Sequence, residues 1–300
     1  MPPHHQKGWT MLVNMREILD DARTHNYAVG CINTPTMDLL RGIVGAAEDV
    51  GTPIIIDHAE VHDPLVRVED IAPYMIDFAR KAKVPVAVHI DHGVDPTFIW
   101  RGIRSGFTSV MYDLSTLPFE ENLKRVTEFT GIAHSLDISV EAELGVMTST
   151  LHDSHGGPAA PADIRETFTD PDLAATFAKE SGVDALAVCF GTVHGMYVEE
   201  PKLDIEHLTR LRAAVPEETA LVMHGSSGVD FDQIAQAVKA GATKVNYYSY
   251  LSAEASRFAA QLVAEAGKPV FYHDLTEATV EHIRTTTTEL LTVFANGHTF

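Results

Sequence analysis

VPVAVHIDHGVD, residues 84–95, is the stretch whose reading decides the fold. A short run of small and β-branched apolar residues is the composition of a strand buried on both faces, as the strands of parallel sheets are. This run leads without a break into His89, Asp91 and His92. Titratable groups at the end of a strand belong at a surface. If that surface is the mouth of a pocket, they can do chemistry.

The same pattern recurs along the chain. YAVGCIN (27–33), TPIIIDH (52–58), SVMYDL (109–114), ISVEAEL (138–144), ALAVCF (185–190), ALVMHG (220–225) and KVNYYSY (244–250) are runs of similar length and character. Between them the spacing predicts helices over 37–50, 68–82, 122–136, 172–181, 204–214, 230–240 and 252–266. Several open with Asp, Ser or Pro, and several close at Gly106, Gly182 or Gly241. About eight strand–helix units in series predict an α/β protein, a single (β/α)8 TIM barrel spanning residues 1–300 as one domain. Residues 11–24 predict an extra N-terminal helix, and residues 276–296 a C-terminal helical extension. An open doubly wound sheet would want an early G-x-G-x-x-G turn, and the chain has none.

Composition narrows the partners. The chain has 300 residues, 45% of them hydrophobic, and a formal net charge of -20. Such a surface repels nucleic acid and anionic lipid, so neither is expected as a partner. An anionic substrate would need a local positive field from a metal, backbone N–H groups or a helix N-terminus. Cys31 and Cys189 lie in apolar runs and read as buried thiols in a reducing compartment. No apolar run is long enough to span a bilayer, and MPPHHQKGW lacks the apolar core of a signal peptide. The expected location is cytoplasmic.

In a barrel of this kind the active site lies at the C-terminal ends of the strands. His92, His194 and His224 fall at the ends of three different strands, each followed by Gly. Three imidazoles with an open fourth position make a catalytic zinc site. Asp113, Glu141, Glu143 and Asn246 stand on or at the ends of other strands, and His89 belongs to the core or to a layer behind the ligands. The H-G pair at 194–195 and HGSSG at 224–228 put permissive backbone beside the metal, with Ser227, Asn246 and Ser249 able to add hydrogen bonds to a phosphate. The loop Gly145–Asp170 is long and rich in Gly, Pro and Ser, as functional loops are.

HIDHG, SVMYDLSTLPFEEN, VEAELG, GTVHGMY with PKLD, MHGSSG and KVNYYSY, in this order, resemble the motifs of the class II, metal-dependent ketose-bisphosphate aldolases, the fructose- and tagatose-bisphosphate aldolases among them. The motifs cover nearly the whole chain, and LVNMREILDDARTHNYAVGCIN resembles the family's N-terminal helix and first strand. The resemblance implies reversible aldol cleavage of a ketose phosphate or bisphosphate to dihydroxyacetone phosphate and an aldehyde. It implies one zinc ion on His92, His194 and His224, polarising the ketone and stabilising the enediolate. By the same match Asp91 is the acid/base for the aldehyde oxygen. Glu143 and Asp113 support the metal or an alternate position of it, with room for a further monovalent or divalent cation. Asn33 and Asn246 meet the triose, and Gly195, Gly225, Ser227 and Ser249 meet its phosphate. A homodimer or homotetramer is implied too.

The chain departs from the family pattern in three places. Ala59, beside His58, stands where the family has Ser or Thr near the phosphate. The loop after strand five lacks the family's Glu, leaving His152, Asp153 and His155 as titratable groups, of which Asp153 is the candidate base. After strand four the chain reads Asp113-Leu114-Ser115-Thr116 behind a Tyr, and no residue stands out as holder of a second phosphate. A metal-dependent hydrolase, an aldolase-like barrel acting on a non-bisphosphate sugar derivative, and a binding barrel without catalysis are the alternatives that these residues leave open.

Overall fold

The structure, a computed structural model, describes residues 11–145, 147–149, 161, 163–197 and 201–300. Among the described residues, strands β1 (Val29–Asn33), β2 (Ile54–Ala59), β3 (Val86–Gly93), β4 (Ser109–Tyr112), β5 (Ser139–Leu144), β6 (Ala185–Val188), β7 (Ala220–Met223) and β8 (Ala242–Asn246) close into one barrel in chain order. All neighbours pair in parallel, and β8 returns to β1 through Cys31 opposite Asn246.

The helices α2 (Met37–Val50), α3 (Val68–Lys81), α4 (Pro96–Arg104), α5 (Phe119–Ser135), α6 (Pro171–Ser181), α7 (Ile205–Ala214), α8 (Phe231–Lys239) and α9 (Ser249–Glu265) follow the strands in turn. Only α4 is absent from the sequence-based expectation. It is a short helix of 9 residues, with Asp95 capping Thr97 N and Pro96 in its first turn. Strand β8 ends at Asn246 and α9 already begins at Ser249, so the apolar run read as 244–250 is part strand and part helix start.

Outward-facing residues such as Ile54, Ile56, Val86, Val88 and Ile90 join one large core between strands and helices. Alternate residues, among them Val29, Cys31, Ile55, Ala87, Ala187 and Val222, face the barrel axis and form a second, smaller core. The preceding helix α1 (Met15–His25) belongs to that inner core through Met15, Ile18, Leu19 and Ala22. Asn14 and Glu17 form a capping box at its start, and Val13 N bonds Val86 O at 3.0 Å. The chain thus covers the N-terminal end of the barrel before entering it, and leaves the C-terminal end open for function.

The last helix, α10 (Tyr272–Phe294), packs along α2. Gly42 permits the approach: a Cβ there would lie 2.5 Å from Ile283 Cγ2. Ile283, Leu290, Leu291 and Phe294 are buried in the seam, each stabilising by roughly 1.5–3 kcal/mol. No helix among the described residues is long and apolar enough to cross a membrane.

Candidate active site

The alternation of a strand explains most of the site. From the inward-facing Cys31, Ile55, Ala87 and Val222, steps of two residues carry Asn33, Asp57, His89, Asp91 and His224 to the barrel interior. The same rule puts Glu141 and Glu143 on the inner face of β5, since Val140 and Ala142 belong to the outer core.

His92 breaks the rule. Alternation would send it outward behind Asp91. Its φ is 46°, in the left-handed region that a non-glycine residue seldom adopts, and the β3–β4 register shifts between Ile90 and Gly93. That turn lets two consecutive residues, Asp91 and His92, face the same cleft.

One ring nitrogen from each of His92, His194 and His224 lies within 4.8 Å of the other two, close enough for the three to hold one metal ion. His92 Nε2 and His224 Nδ1 are 3.0 Å apart. The opposite nitrogens are held from behind: His92 Nδ1 is 2.8 Å from Asp113 Oδ2, and His224 Nε2 is 2.8 Å from Glu141 Oε1. A carboxylate on the far nitrogen fixes ring and tautomer so that the near nitrogen offers a lone pair, the arrangement found behind metal-bound histidines. His194 is carried by the turn after β6, where its N–H bonds Thr148 O at 2.8 Å and Ser149 bridges to it.

His92, Asp113 and Glu143 form a second set of donors within 4.8 Å. Glu143 Oε2 is buried without a hydrogen-bond partner and faces His224 Nδ1 at 3.8 Å. A buried orphan carboxylate oxygen beside three convergent imidazoles fits a cation, and the residues present suit zinc.

Burial opposes the imidazolium of His92, but Asp91 and Asp113 outweigh it and push its pKa up to about 10. Burial, with the charge of Asp113, pushes Glu143 up to about 8. Burial likewise opposes ionisation of Asp113, and the contact with His92 overrides it and holds the carboxyl below its usual value. Burial lowers the pKa of His224 despite the Glu141 contact.

Asp91 stands between two amides. Asn246 Nδ2 donates to its Oδ1 at 3.2 Å and Asn33 Nδ2 to its Oδ2 at 3.3 Å. Asn33, Asp91, His92, His194 and Asn246 line one cleft, and Gly195, Gly225, Ser227 and Ser249 line it too. Ser227 Oγ accepts from Tyr248 N at 2.8 Å, and α9 starts at the cleft with no side-chain cap on its first turn. Uncapped N–H groups of a 17-residue helix are suited to an anion.

Of the residues singled out in the sequence, Asn33, Asp91, His92, His194, Gly195, Gly225, Ser227, Asn246 and Ser249 line the cleft. His224, Asp113 and Glu143 do not line it but offer ligand atoms within 4.8 Å of His92. Asp153, with His152 and His155, lies outside the described residues. His58 faces away from the barrel axis, 6.3 Å from the ring of Phe98 and 6.1 Å from that of His62.

Sequence reasoning placed Glu141 on the fifth strand and His89 in the core or behind the ligands, but missed Asp57 and Lys244, which complete a layer under the cleft. Glu141, Lys244 and Asp57 are fully buried in the barrel. Lys244 Nζ reaches Glu141 Oε2 at 2.8 Å and Asn246 Oδ1 at 2.7 Å. His89 Nδ1 bonds Ser109 Oγ at 3.0 Å and its Nε2 lies 3.7 Å from Glu141. The signal was present: Asp57, Glu141 and Lys244 stand two residues before Ala59, Glu143 and Asn246 on the same strands.

Fold and site define the class: a (β/α)8 barrel whose C-terminal mouth presents residues able to hold a metal cation beside a carboxylate. Residues 13–298 match the family described as fructose-bisphosphate aldolase class-II, and the chain belongs to that family, one of metal-dependent lyases. It is 36% identical over 242 residues to the uncharacterized protein YdjI of Escherichia coli K12, covering 80% of this chain and 84% of that protein. The crystal structure of the YdjI aldolase superposes with a TM-score of 0.83 at 31% identity, over 96% of this chain and 100% of that one. The fructose-bisphosphate aldolase of Campylobacter jejuni superposes with a TM-score of 0.78, over 96% and 97% of the two chains; at 20% identity it shows the shared fold.

Proposed function

We propose that the protein is a zinc-dependent aldolase that reversibly cleaves a ketose phosphate or bisphosphate to dihydroxyacetone phosphate and an aldehyde. The observation that carries this reading is the convergence of three imidazoles, His92, His194 and His224, beside a cleft lined by Asp91 and by Gly195, Gly225, Ser227 and Ser249.

His92, His194 and His224 would hold the zinc ion, which when bound supplies Lewis-acid polarisation of the substrate ketone. Gly195, Gly225, Ser227 and Ser249, at the start of α9, would bind the phosphate. No Lys or Arg lines the cleft among the described residues. Backbone N–H groups and hydroxyls therefore meet the anion, as the acidic chain requires. Asn33 and Asn246 would orient the hydroxyls of the triose. In the cleavage direction Asp91 takes the proton of the C4 hydroxyl while the C3–C4 bond breaks. The aldehyde leaves, and the electron pair stays on the triose as its enediolate. A proton delivered to C3, for which Asp153 is the candidate acid, completes dihydroxyacetone phosphate while Asp91 gives up its proton to water. In the condensation direction Asp91 returns a proton to the aldehyde oxygen. Asp113 and Glu141, bonded to His92 and His224, would keep those rings turned toward a bound cation.

The test is hydrogen exchange at the hydroxymethyl carbon of dihydroxyacetone phosphate in deuterium oxide, with and without chelator. Exchange that the chelator abolishes supports the reading and needs no knowledge of the aldehyde. No exchange in zinc-loaded protein refutes it and moves attention to metal-dependent hydrolysis.

A further inference from the structure

Asp57 has no role in the steps above. It is completely buried on the inner face of β2, opposite Asn33 on β1 and His89 on β3. Among the described residues the hydrogen-bond partners of its carboxyl are the Cys31 thiol, 3.3 Å from Oδ2, and the Asn33 amide, which donates a short bond to Oδ1. The same Asn33 nitrogen donates to Asp91 Oδ2 at 3.3 Å.

A primary amide carries two N–H hydrogens on one side and a carbonyl oxygen on the other. Two acceptors flanking Asn33 dictate which side faces them, since only the nitrogen can donate to both. Its two hydrogens are committed to Asp57 and Asp91. The amide oxygen is left to the cleft that Asn33 lines. With Asp57 removed, a single hydrogen bond to Asp91 would remain, and the amide could rotate about it.

We propose that Asp57 is a positioning residue: it locks the Asn33 amide so that the nitrogen steadies Asp91 and the oxygen is presented to a substrate hydroxyl. The lock itself is a property of the folded chain. What it does for catalysis rests on the aldolase reading. Burial, with the neighbouring charge of Asp91, pushes the Asp57 carboxyl well above the usual range. Either protonation state still offers Asn33 an acceptor oxygen, so the lock does not depend on titration.

Two variants and two readouts test this. Asp57→Leu replaces the carboxyl by an apolar group of similar reach, and Asp57→Asn keeps an acceptor oxygen. The Asn33 side-chain N–H2 signals are followed by NMR in asparagine-labelled protein and assigned by their loss in Asn33→Asp. Slow hydrogen exchange is expected in wild type and Asp57→Asn, and exchange at least about tenfold faster in Asp57→Leu, as a freed amide requires. Unchanged protection in Asp57→Leu overturns the lock, whatever the activity. Where the Leu variant does not fold, Asp57→Ala carries the same expectation.

The second readout is chelator-sensitive exchange of dihydroxyacetone phosphate at matched zinc content. A fall of about 10²-fold in Asp57→Leu, with Asp57→Asn within about fivefold of wild type, is expected for a positioning defect. Equal loss in both variants overturns the catalytic role. If wild type shows no exchange, the aldolase reading fails and the catalytic role falls with it. Amide protection then still decides the lock.

Discussion

The Lys244 ammonium meets the Glu141 carboxylate at 2.8 Å, and neither side chain is exposed to solvent. This pair joins two parts of the site. Glu141 reaches His224 on one side, and Lys244 reaches Asn246 and through it Asp91 on the other. Burial opposes both charges. Lys244 and His224 nevertheless hold Glu141 down to about 2, and Lys244 is raised above its usual value.

Removing one member leaves an uncompensated buried charge. Lys244→Met is expected to destabilise the protein by about 3–5 kcal/mol. The double variant Glu141→Leu with Lys244→Met is expected to recover most of that stability, since an apolar pair of similar volume needs no desolvation. It should not recover activity, because His224 and Asn246 both lose a fixed partner. Urea denaturation of the three variants checks the stability claim. A double variant no more stable than Lys244→Met would show that the pair is not the source of the loss.

Replacing His92, His194 or His224 by Ala should remove most bound zinc and lower activity at least about 10³-fold. Elemental analysis of purified protein is the direct check. Zinc and a proton compete for the same nitrogens, and in the metal-free protein Asp91 and Asp113, against the effect of burial, push the His92 pKa up to about 10. Zinc uptake at neutral pH must therefore release a proton. Affinity should weaken by about tenfold for each pH unit of acidification. A competition titration that gives the same affinity at pH 6 and pH 8, roughly two units apart, would contradict the exchange of proton for metal.

Much of this was legible in the sequence because a parallel barrel repeats one instruction. Each strand is a short apolar run, and each run delivers its polar residues at the same end. The runs around Val86, Ile54 and Ala220 show this, and so do Asp91, His194, His224 and Asn246 at the strand ends or just beyond. Local geometry that departs from the repeat was not legible. Nothing in HIDHG announces the left-handed backbone of His92, which turns it inward beside Asp91. The buried charges were hidden for a different reason. Asp57 and Lys244 sit in strands that read as ordinary apolar runs, Glu141 was legible only as a charge on its strand, and the meaning of all three depends on which strands close against each other. Helix α4 escaped because a helix of 9 residues offers too few turns for its spacing to stand out.

His89 gives the barrel a pH dependence on the acid side. Burial and the charge of Lys244 hold its pKa down to about 3, against 6.5 for an unburied imidazole. A histidine with a depressed folded-state pKa is neutral in both states above 6.5, so its stability contribution is full there. Below 6.5 the unfolded chain takes up a proton that the folded one refuses, and stability falls until about pH 3. The slope from this one group approaches about 1.4 kcal/mol per pH unit. Glu141 adds to the loss only lower down, between its ordinary value of 4.5 and about 2. In the window from pH 6.5 to 4.5, His89→Gln should flatten the stability curve of the metal-free protein. Thermal melts of wild type and variant across that window should converge toward the acid end, and parallel curves would refute the assignment.

Gly225 holds two ligand-bearing turns together, and this can be tested without touching a ligand. Its φ is 64°, and a Cβ at this position would lie 2.4 Å from Val193 O, one residue before His194. Across the same seam the Tyr197 hydroxyl accepts from Val193 N and donates to Gly225 O, both at 2.8 Å. Gly225→Ala must therefore push the turn after β7 away from the turn after β6, separating His224 from His194. The expected cost is about 1–3 kcal/mol of stability, with a loss of at least about tenfold in zinc affinity. Tyr197→Phe keeps the packing and removes only the bridging hydroxyl. It should cost about 1–2 kcal/mol and change zinc affinity much less. If the two variants bind zinc equally, separation of the turns is not what the glycine prevents, and the close approach at Val193 serves packing alone.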